Sequence, residues 1–197
     1  MALPVILGLG GTIRSGSITE RVLEISMRAA SAAGAETAVC GGPELALPLY
    51  DPQEPARSAE AVRLLAHLRR ADGVIIASPA YHGSISGLVK NALDYAEDLR
   101  DEPRPYLDGV AVGLIACAAG WQAGTQTLQA LRSVAHALRA WPTPLGVAIN
   151  TSGELFDAAG RCVDESAQLK LETVGRQVVE FCRMRVAALG CRSTRLG

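Results

Sequence analysis

Gly8 to Thr19 reads GLGGTIRSGSIT. Glycines, hydroxyls and one arginine follow an apolar run and precede a helical pattern, with no carboxylate in the stretch. Gly10 and Gly11 let a backbone turn tightly and approach a ligand closely. Thr12, Ser15, Ser17 and Thr19 offer hydroxyl donors, and Arg14 adds a permanent cation whose planar fork matches phosphate oxygens. A helix beginning where the loop ends directs its free N–H groups and the positive end of its dipole to the same place. These features converge on an anion, a phosphate above all. The same residues also suit a plain strand-to-helix turn with hydroxyl caps and a solvated arginine.

Two familiar phosphate loops are absent. No G-x-x-x-x-G-K-[ST] occurs. Gly8, Gly10 and Gly11 do not extend to the third glycine of G-x-G-x-x-G, and no acidic residue closes the second strand as a dinucleotide site needs. The second chemistry-bearing segment is SPAYHGSISGLVKNALDYAEDL, from Ser78. Pro79 stiffens a strand exit, Tyr81 and His82 bring flat side chains, Gly83 and Gly87 allow close approach, and Ser84 and Ser86 can cap a helix. A planar ring could lie against it. Taken alone, His82 reads as a surface-loop histidine, and Lys90, Asn91 and Asp94 read as helix-surface or packing residues without a catalytic role.

The elements that must hold these loops follow from periodicity. Leu3–Leu9, Glu36–Cys40, Gly73–Ala77, Val110–Ala116 and Leu145–Ile149 are short apolar runs suited to strands covered on both faces. Helical spacing marks Thr19–Ala33, Ser58–Arg70, Leu88–Leu99, Thr125–Ala140 and Ala167–Leu189, with Pro142 and Pro144 ending the fourth. Gly41–Pro55 holds four prolines and two glycines and is a long loop. Strands alternating with helices predict an α/β doubly wound parallel sheet. Such sheets bind ligands beyond the strand carboxyl ends, where strand order reverses. In a flavodoxin-like order 2-1-3-4-5, that place lies between Gly10–Thr19 and Ser78–Gly87. One domain over residues 1–190 and a flexible tail over 191–197 are expected.

Composition excludes other classes. A net charge of −1, from 19 basic and 20 acidic residues, lacks the basic excess of a nucleic-acid binder. No apolar run approaches a membrane span. Cys40, Cys117, Cys162, Cys182 and Cys191 form no C-x-x-C pair or zinc spacing, so no metal site is expected and free thiols in the cytoplasm are the simplest account.

The sequence resembles the NAD(P)H-dependent FMN reductases of the flavodoxin-like fold. G-T-I-R-S-G-S-I-T fits that family's G-S-x-R-x-x-S-x-[NT] loop, and P-A-Y-H-G-S-I-S-G-L-V-K-N-A-L-D fits its P-x-Y-x-x-S-x-x-G-x-[LV]-K-N-x-[LI]-D segment. The similarity spans about Pro4 to Glu180. Thr12 stands where serine is commoner, keeping the hydroxyl, and Ser86 stands where many members have proline.

The resemblance implies a three-layer sandwich with a five-stranded parallel sheet and helices on both faces. It implies FMN, with Thr12, Arg14, Ser17 and Thr19 at the phosphate. Pro79, Ala80, Tyr81, His82, Gly83, Ser84 and Ile85 would then lie along the isoalloxazine and ribityl chain. Gly120 and Trp121, from the loop Ala118–Gly124, would approach the ring's pyrimidine side; Trp121 equally suits a subunit interface. The implied reaction is hydride transfer from NADPH (or NADH) to flavin, with no protein nucleophile or base required. Electrons would pass to a partner monooxygenase through released FMNH₂, or to a quinone or azo acceptor if FMN stays. The resemblance further implies a homodimer or homotetramer. A flavodoxin-type electron carrier is the competing class; Arg14 and the near-neutral charge weigh against it.

Overall fold

The computed structural model describes residues 3–193, with side chains to residue 188. The strands are β1 (Val5–Gly10), β2 (Glu36–Gly41), β3 (Gly73–Tyr81), β4 (Ser84–Ile85), β5 (Ala111–Ala118) and β6 (Trp141–Asn150). The helices are α1 (Ile18–Ala32), α2 (Ala59–Arg70), α3 (Gly87–Asp94), α4 (Trp121–Ala137) and α5 (Glu165–Ser193), with 3₁₀ turns at Gly42–Leu45 and Tyr95–Leu99.

Five long strands are parallel in the order β2-β1-β3-β5-β6. Without the short β4, this is the expected 2-1-3-4-5. The addition is β4, which pairs antiparallel with the end of β3, Tyr81 opposite Ser84 and Ala80 opposite Ile85. His82 at φ 51° and Gly83 at φ 81° supply the two positive-φ residues of a type I′ hairpin. β3 therefore runs four residues past Ala77, where its apolar run ends.

Alternate strand residues face two cores, as the pleat dictates. Leu7, Leu9, Val74, Ile76, Val112 and Leu114 pack with α2, α3 and α4. Ile6, Ile75, Ala77, Ile115 and Val147 pack with α1 and α5. This is the expected three-layer arrangement, and it burial-locks the strand ends from which the two motif loops leave.

Four expectations are corrected. α4 begins at Trp121, not Thr125, because Gly120 adopts an extended backbone as N-cap and Gly124 lets the helix lie close to Ala118 and Ala148. The loop expected over Ala118–Gly124 thus shrinks to its first residues. Pro142 and Pro144 do not terminate α4. They sit in β6, an edge strand where a missing N–H leaves no ladder bond unmade. A register shift between Val112 and Leu114 accommodates them. The helix expected over Leu88–Leu99 divides into α3 and a 3₁₀ turn at Tyr95. α5 continues to Ser193, beyond Leu189; of the tail expected to fray, 194–197 lie outside the described residues.

The long loop after β2 is ordered by α3. Asn91 accepts from the Tyr50 N–H (2.9 Å) and donates to the carbonyls of Leu47 (3.3 Å) and Pro48 (2.9 Å). Tyr95 OH also donates to Pro48 O, at 3.0 Å. Asn91 therefore has a packing role, as the sequence suggests, but a specific one. Among the described residues, no helix is long and apolar enough to cross a membrane. Cys40, Cys117, Cys162 and Cys182 are free thiols; the side chain of Cys191 lies outside the described set.

Candidate functional site

β1 ends on Gly10 beside β3, so the first loop leaves the sheet where the strand order reverses. The Gly11 N–H donates to Ala77 O at 3.2 Å, tying the start of this loop to β3. The Thr12 hydroxyl donates to Arg14 O at 3.0 Å and closes the turn. Ser17 is the N-cap of α1: its Oγ accepts from the Glu20 N–H at 3.3 Å, and it is buried. Arg14 is exposed at the rim. Thr19 lies in the first turn of α1, 3% exposed, against the Cys117 thiol on β5. Burial pushes that thiol up to about 12, and the Thr19 hydroxyl offsets a little of the rise. Cys117 therefore stays protonated, inert packing beneath the loop.

Across from this loop stands the β3–β4 hairpin. Ser78 is fully buried at its base, where its Oγ accepts from the Ser86 N–H (3.0 Å) and donates to Pro79 O (2.9 Å). Ser86 in turn caps α3 by accepting from the Val89 N–H at 3.2 Å. The hairpin is thus fixed at both ends. Pro79 is buried, Ala80, Gly83 and Ile85 are half-buried, and Tyr81, His82 and Ser84 are exposed. Gly83 lies against Gln126 of α4.

The two loops enclose a cleft of about 480 Å³ lined by Gly11, Thr12, Ile13, Arg14, Pro79, Tyr81, Ser86, Gly87 and Leu88. That size falls within the range of small-molecule sites. Of the residues singled out from sequence, Thr12, Arg14, Pro79 and Tyr81 line this cleft. Ser17 and Thr19 lie beneath its loop, and His82, Gly83 and Ser84 form the hairpin tip. Gly120 and Trp121 start α4 beyond the end of β5, with Trp121 63% exposed. Gly87, expected to allow close approach, also lines the cleft; Ile13 and Leu88 have no such signal in the sequence, and Ser86 is legible there only as a helix cap.

One further side chain at the loop emerges only in the structure. Glu20 extends its carboxylate back over the loop to accept from the Gly16 N–H at 2.6 Å. With Ser17 capping at Glu20 N, this is a variant of the capping box. The S-x-x-E spacing from Ser17 was the available signal. Arg21, one residue on, stacks its guanidinium over the Phe156 ring at 3.8 Å and is directed away from the loop.

The residues suit FMN by a further observation. A Cβ placed on Gly16, Gly87 or Gly120 would meet nothing within 4 Å, so the glycines at the two loops and at the start of α4 border open space. Polar groups stand at the helix end and apolar or flat ones at the hairpin, matching a ligand with a phosphate at one end and a ring at the other.

Fold and site together define a class: a doubly wound, flavodoxin-like α/β protein whose crevice opens between β1 and β3. Solved structures of the same fold include a flavoenzyme NAD(P)H:(acceptor) oxidoreductase from Paracoccus denitrificans, at TM-score 0.73 and 18% identity, covering 92% of this chain and 98% of that one. A flavodoxin, WrbA-like protein from Agrobacterium tumefaciens superposes at TM-score 0.61 and 17% identity, over 93% of this chain and 99% of that one.

The family model of NADPH-dependent FMN reductases matches residues 4–154, and the chain belongs to that family. An NAD(P)H-dependent FMN reductase of Pseudomonas aeruginosa is 28% identical over 83% of this chain and 86% of its own length. An NADPH azoreductase of a Bacillus strain is 38% identical over 44% of this chain, and a quinone reductase of Escherichia coli 35% identical over 50%. In these two cases the match spans about half of the relative, 46% and 53%.

Proposed function

We propose that the chain is an NAD(P)H-dependent FMN reductase, with residues 1–190 forming one FMN-binding domain. The observation that carries this reading is the meeting of the two family motifs across one cleft. Thr12, Arg14, Ser17 and Thr19, with the N–H groups at the start of α1, hold the phosphate. Pro79, Ala80, Tyr81, His82, Gly83, Ser84 and Ile85 shape the ring and ribityl side, and Gly120 and Trp121 border the ring's far edge. FMN, when bound, supplies the hydride-accepting chemistry; the chain's part is to orient it and to leave one face open for the nicotinamide of NADPH or NADH.

The acceptor is either a flavin-dependent monooxygenase fed by released reduced flavin, or a small quinone or azo compound. The azoreductase and quinone reductase among the relatives support the second. A homodimer or homotetramer in the cytoplasm is the working form; the exposed Trp121, Trp141 and Leu49 support an interface. Light scattering at micromolar concentration is expected to give at least a dimer mass, and a monomer mass would remove this part.

The deciding measurement is aerobic NADPH oxidation by purified protein with and without added FMN. Turnover dependent on FMN is expected. Tight FMN binding without turnover would make the chain an electron carrier, and neither would leave only the fold. Arg14→Ala removes a charge-assisted bond and should weaken FMN about tenfold or more while leaving riboflavin binding unchanged. An unchanged FMN dissociation constant would mean that Arg14 merely faces solvent.

A further inference from the structure

Glu20 puts a carboxylate at the place the flavin reading reserves for a phosphate. Its Oε2 accepts from the Gly16 N–H at 2.6 Å, taking one of the loop donors. Its own N–H is bonded to Ser17 Oγ at 3.3 Å, so a second donor of the first helical turn is also occupied. The Glu20 Cβ lies 3.8 Å from the position of a Cβ at Gly11, so the side chain starts beside the glycine turn. Among the described residues, no cation approaches Glu20 to ion-pair distance. The nearest arginine in sequence, Arg21, is engaged over Phe156. Glu20 therefore caps α1 as an internal anion, filling the positive end of its dipole.

We propose that Glu20 lowers phosphate affinity at this site, by competing with the flavin phosphate for the loop and repelling it. The inference rests on the flavin reading above and deepens it. A bound phosphate must displace the carboxylate from Gly16 N–H or share the helix end with its charge, and either cost falls on FMN and not on riboflavin. The consequence is weaker retention of FMN than the loop would otherwise give, whichever acceptor takes the electrons.

The test is a titration of the purified full chain with FMN and, separately, riboflavin, for the wild type, Glu20→Gln and Glu20→Ala. Glu20→Gln keeps an oxygen to accept from Gly16 N–H and removes the charge; Glu20→Ala removes both. FMN is expected to bind about fivefold more tightly to Glu20→Gln, with slower dissociation and riboflavin affinity unchanged. Glu20→Ala should also bind FMN more tightly, despite a lower melting temperature of the free protein from loss of the cap. Equal or weaker FMN binding by both variants would overturn the role of Glu20 alone, as would a riboflavin shift equal to that for FMN. Failure of all three proteins to bind FMN would instead bring down the flavin reading and this inference with it.

Discussion

Gly10→Ala is expected to lower the thermal midpoint by about 10 °C and to abolish FMN binding at concentrations that saturate the wild type. Gly10 ends β1 at φ +146°, a region that side chains rarely enter, and a Cβ there would lie 1.9 Å from Ala77 O. That carbonyl belongs to the central strand β3 and accepts from Gly11 N–H. Relief requires β1 and β3 to separate at the point where both motif loops leave the sheet. Backbone strain and overpacking together cost about 3 kcal/mol or more. Gly11→Ala is the internal comparison. Its φ of +105° carries strain, but the nearest atom to its Cβ is 3.5 Å away, so its loss should be distinctly smaller. Thermal melts of the two variants check the pair; equal midpoints would mean that the approach to Ala77 is not what demands glycine.

The second large effect concerns the strap between β2 and α2. Asp98→Ala should destabilise the protein by about 3 kcal/mol, seen as a reduced urea midpoint. Arg57 donates to Asp98 through Nε (2.7 Å) and Nη2 (2.8 Å), and Tyr50 OH donates to the same carboxylate at 3.1 Å. The Arg57 side chain is 12% exposed and that of Asp98 21%. Arg57 Nη1 also donates to Asp51 O (3.0 Å) and Glu54 O (2.6 Å), so one guanidinium gathers the strap. Removing the carboxylate leaves that cation among the Tyr50 and Tyr95 rings without its counter-charge. An apolar replacement of both partners, Arg57→Met with Asp98→Leu, should recover part of the loss.

The same pair sets an acid dependence. The Arg57 hydrogen bonds hold the Asp98 carboxyl below the ordinary carboxylate range, against the opposing effect of its partial burial, with Tyr50 adding to the lowering. A depressed folded value means that the unfolded chain takes up the proton first as pH falls. The stabilisation is therefore complete well above the unfolded carboxylate value of about 4 and disappears as pH falls through the folded one. The difference in stability between wild type and Asp98→Ala should be constant near neutrality and narrow below about pH 4. A difference independent of pH would mean that Asp98 acts by packing and not by charge.

Much of the architecture was legible because its signals are local. Apolar runs such as Val110–Ala116 have one stable environment, a strand buried on both faces, and their alternation with helical spacing leaves few sheet orders. Arg14, Thr12 and the glycines before them point to an anion site because backbone freedom, hydroxyls and a fixed cation stand together at the start of a helix. The reading went astray where a residue's meaning depends on its neighbour across the sheet. Pro142 and Pro144 read as helix stops, since proline breaks helices, but an edge strand tolerates them equally. Gly124 falls at the end of the expected loop Ala118–Gly124, yet it is the residue that lets α4 settle close to Ala118 and Ala148.

By itself, then, the sequence determined the doubly wound class, the two loops that border the cleft and the kind of ligand their residue types suit, all of which depend on residue type and short-range spacing. Only the tertiary structure decided that His82 and Gly83 turn a hairpin, that Asn91 fastens the strap over α3, and that Glu20 reaches back onto Gly16 N–H. Each of these turns on where a backbone N–H or carbonyl points once the chain has packed. A side chain's hydrogen-bond partner is set by that direction, which residue spacing alone does not specify.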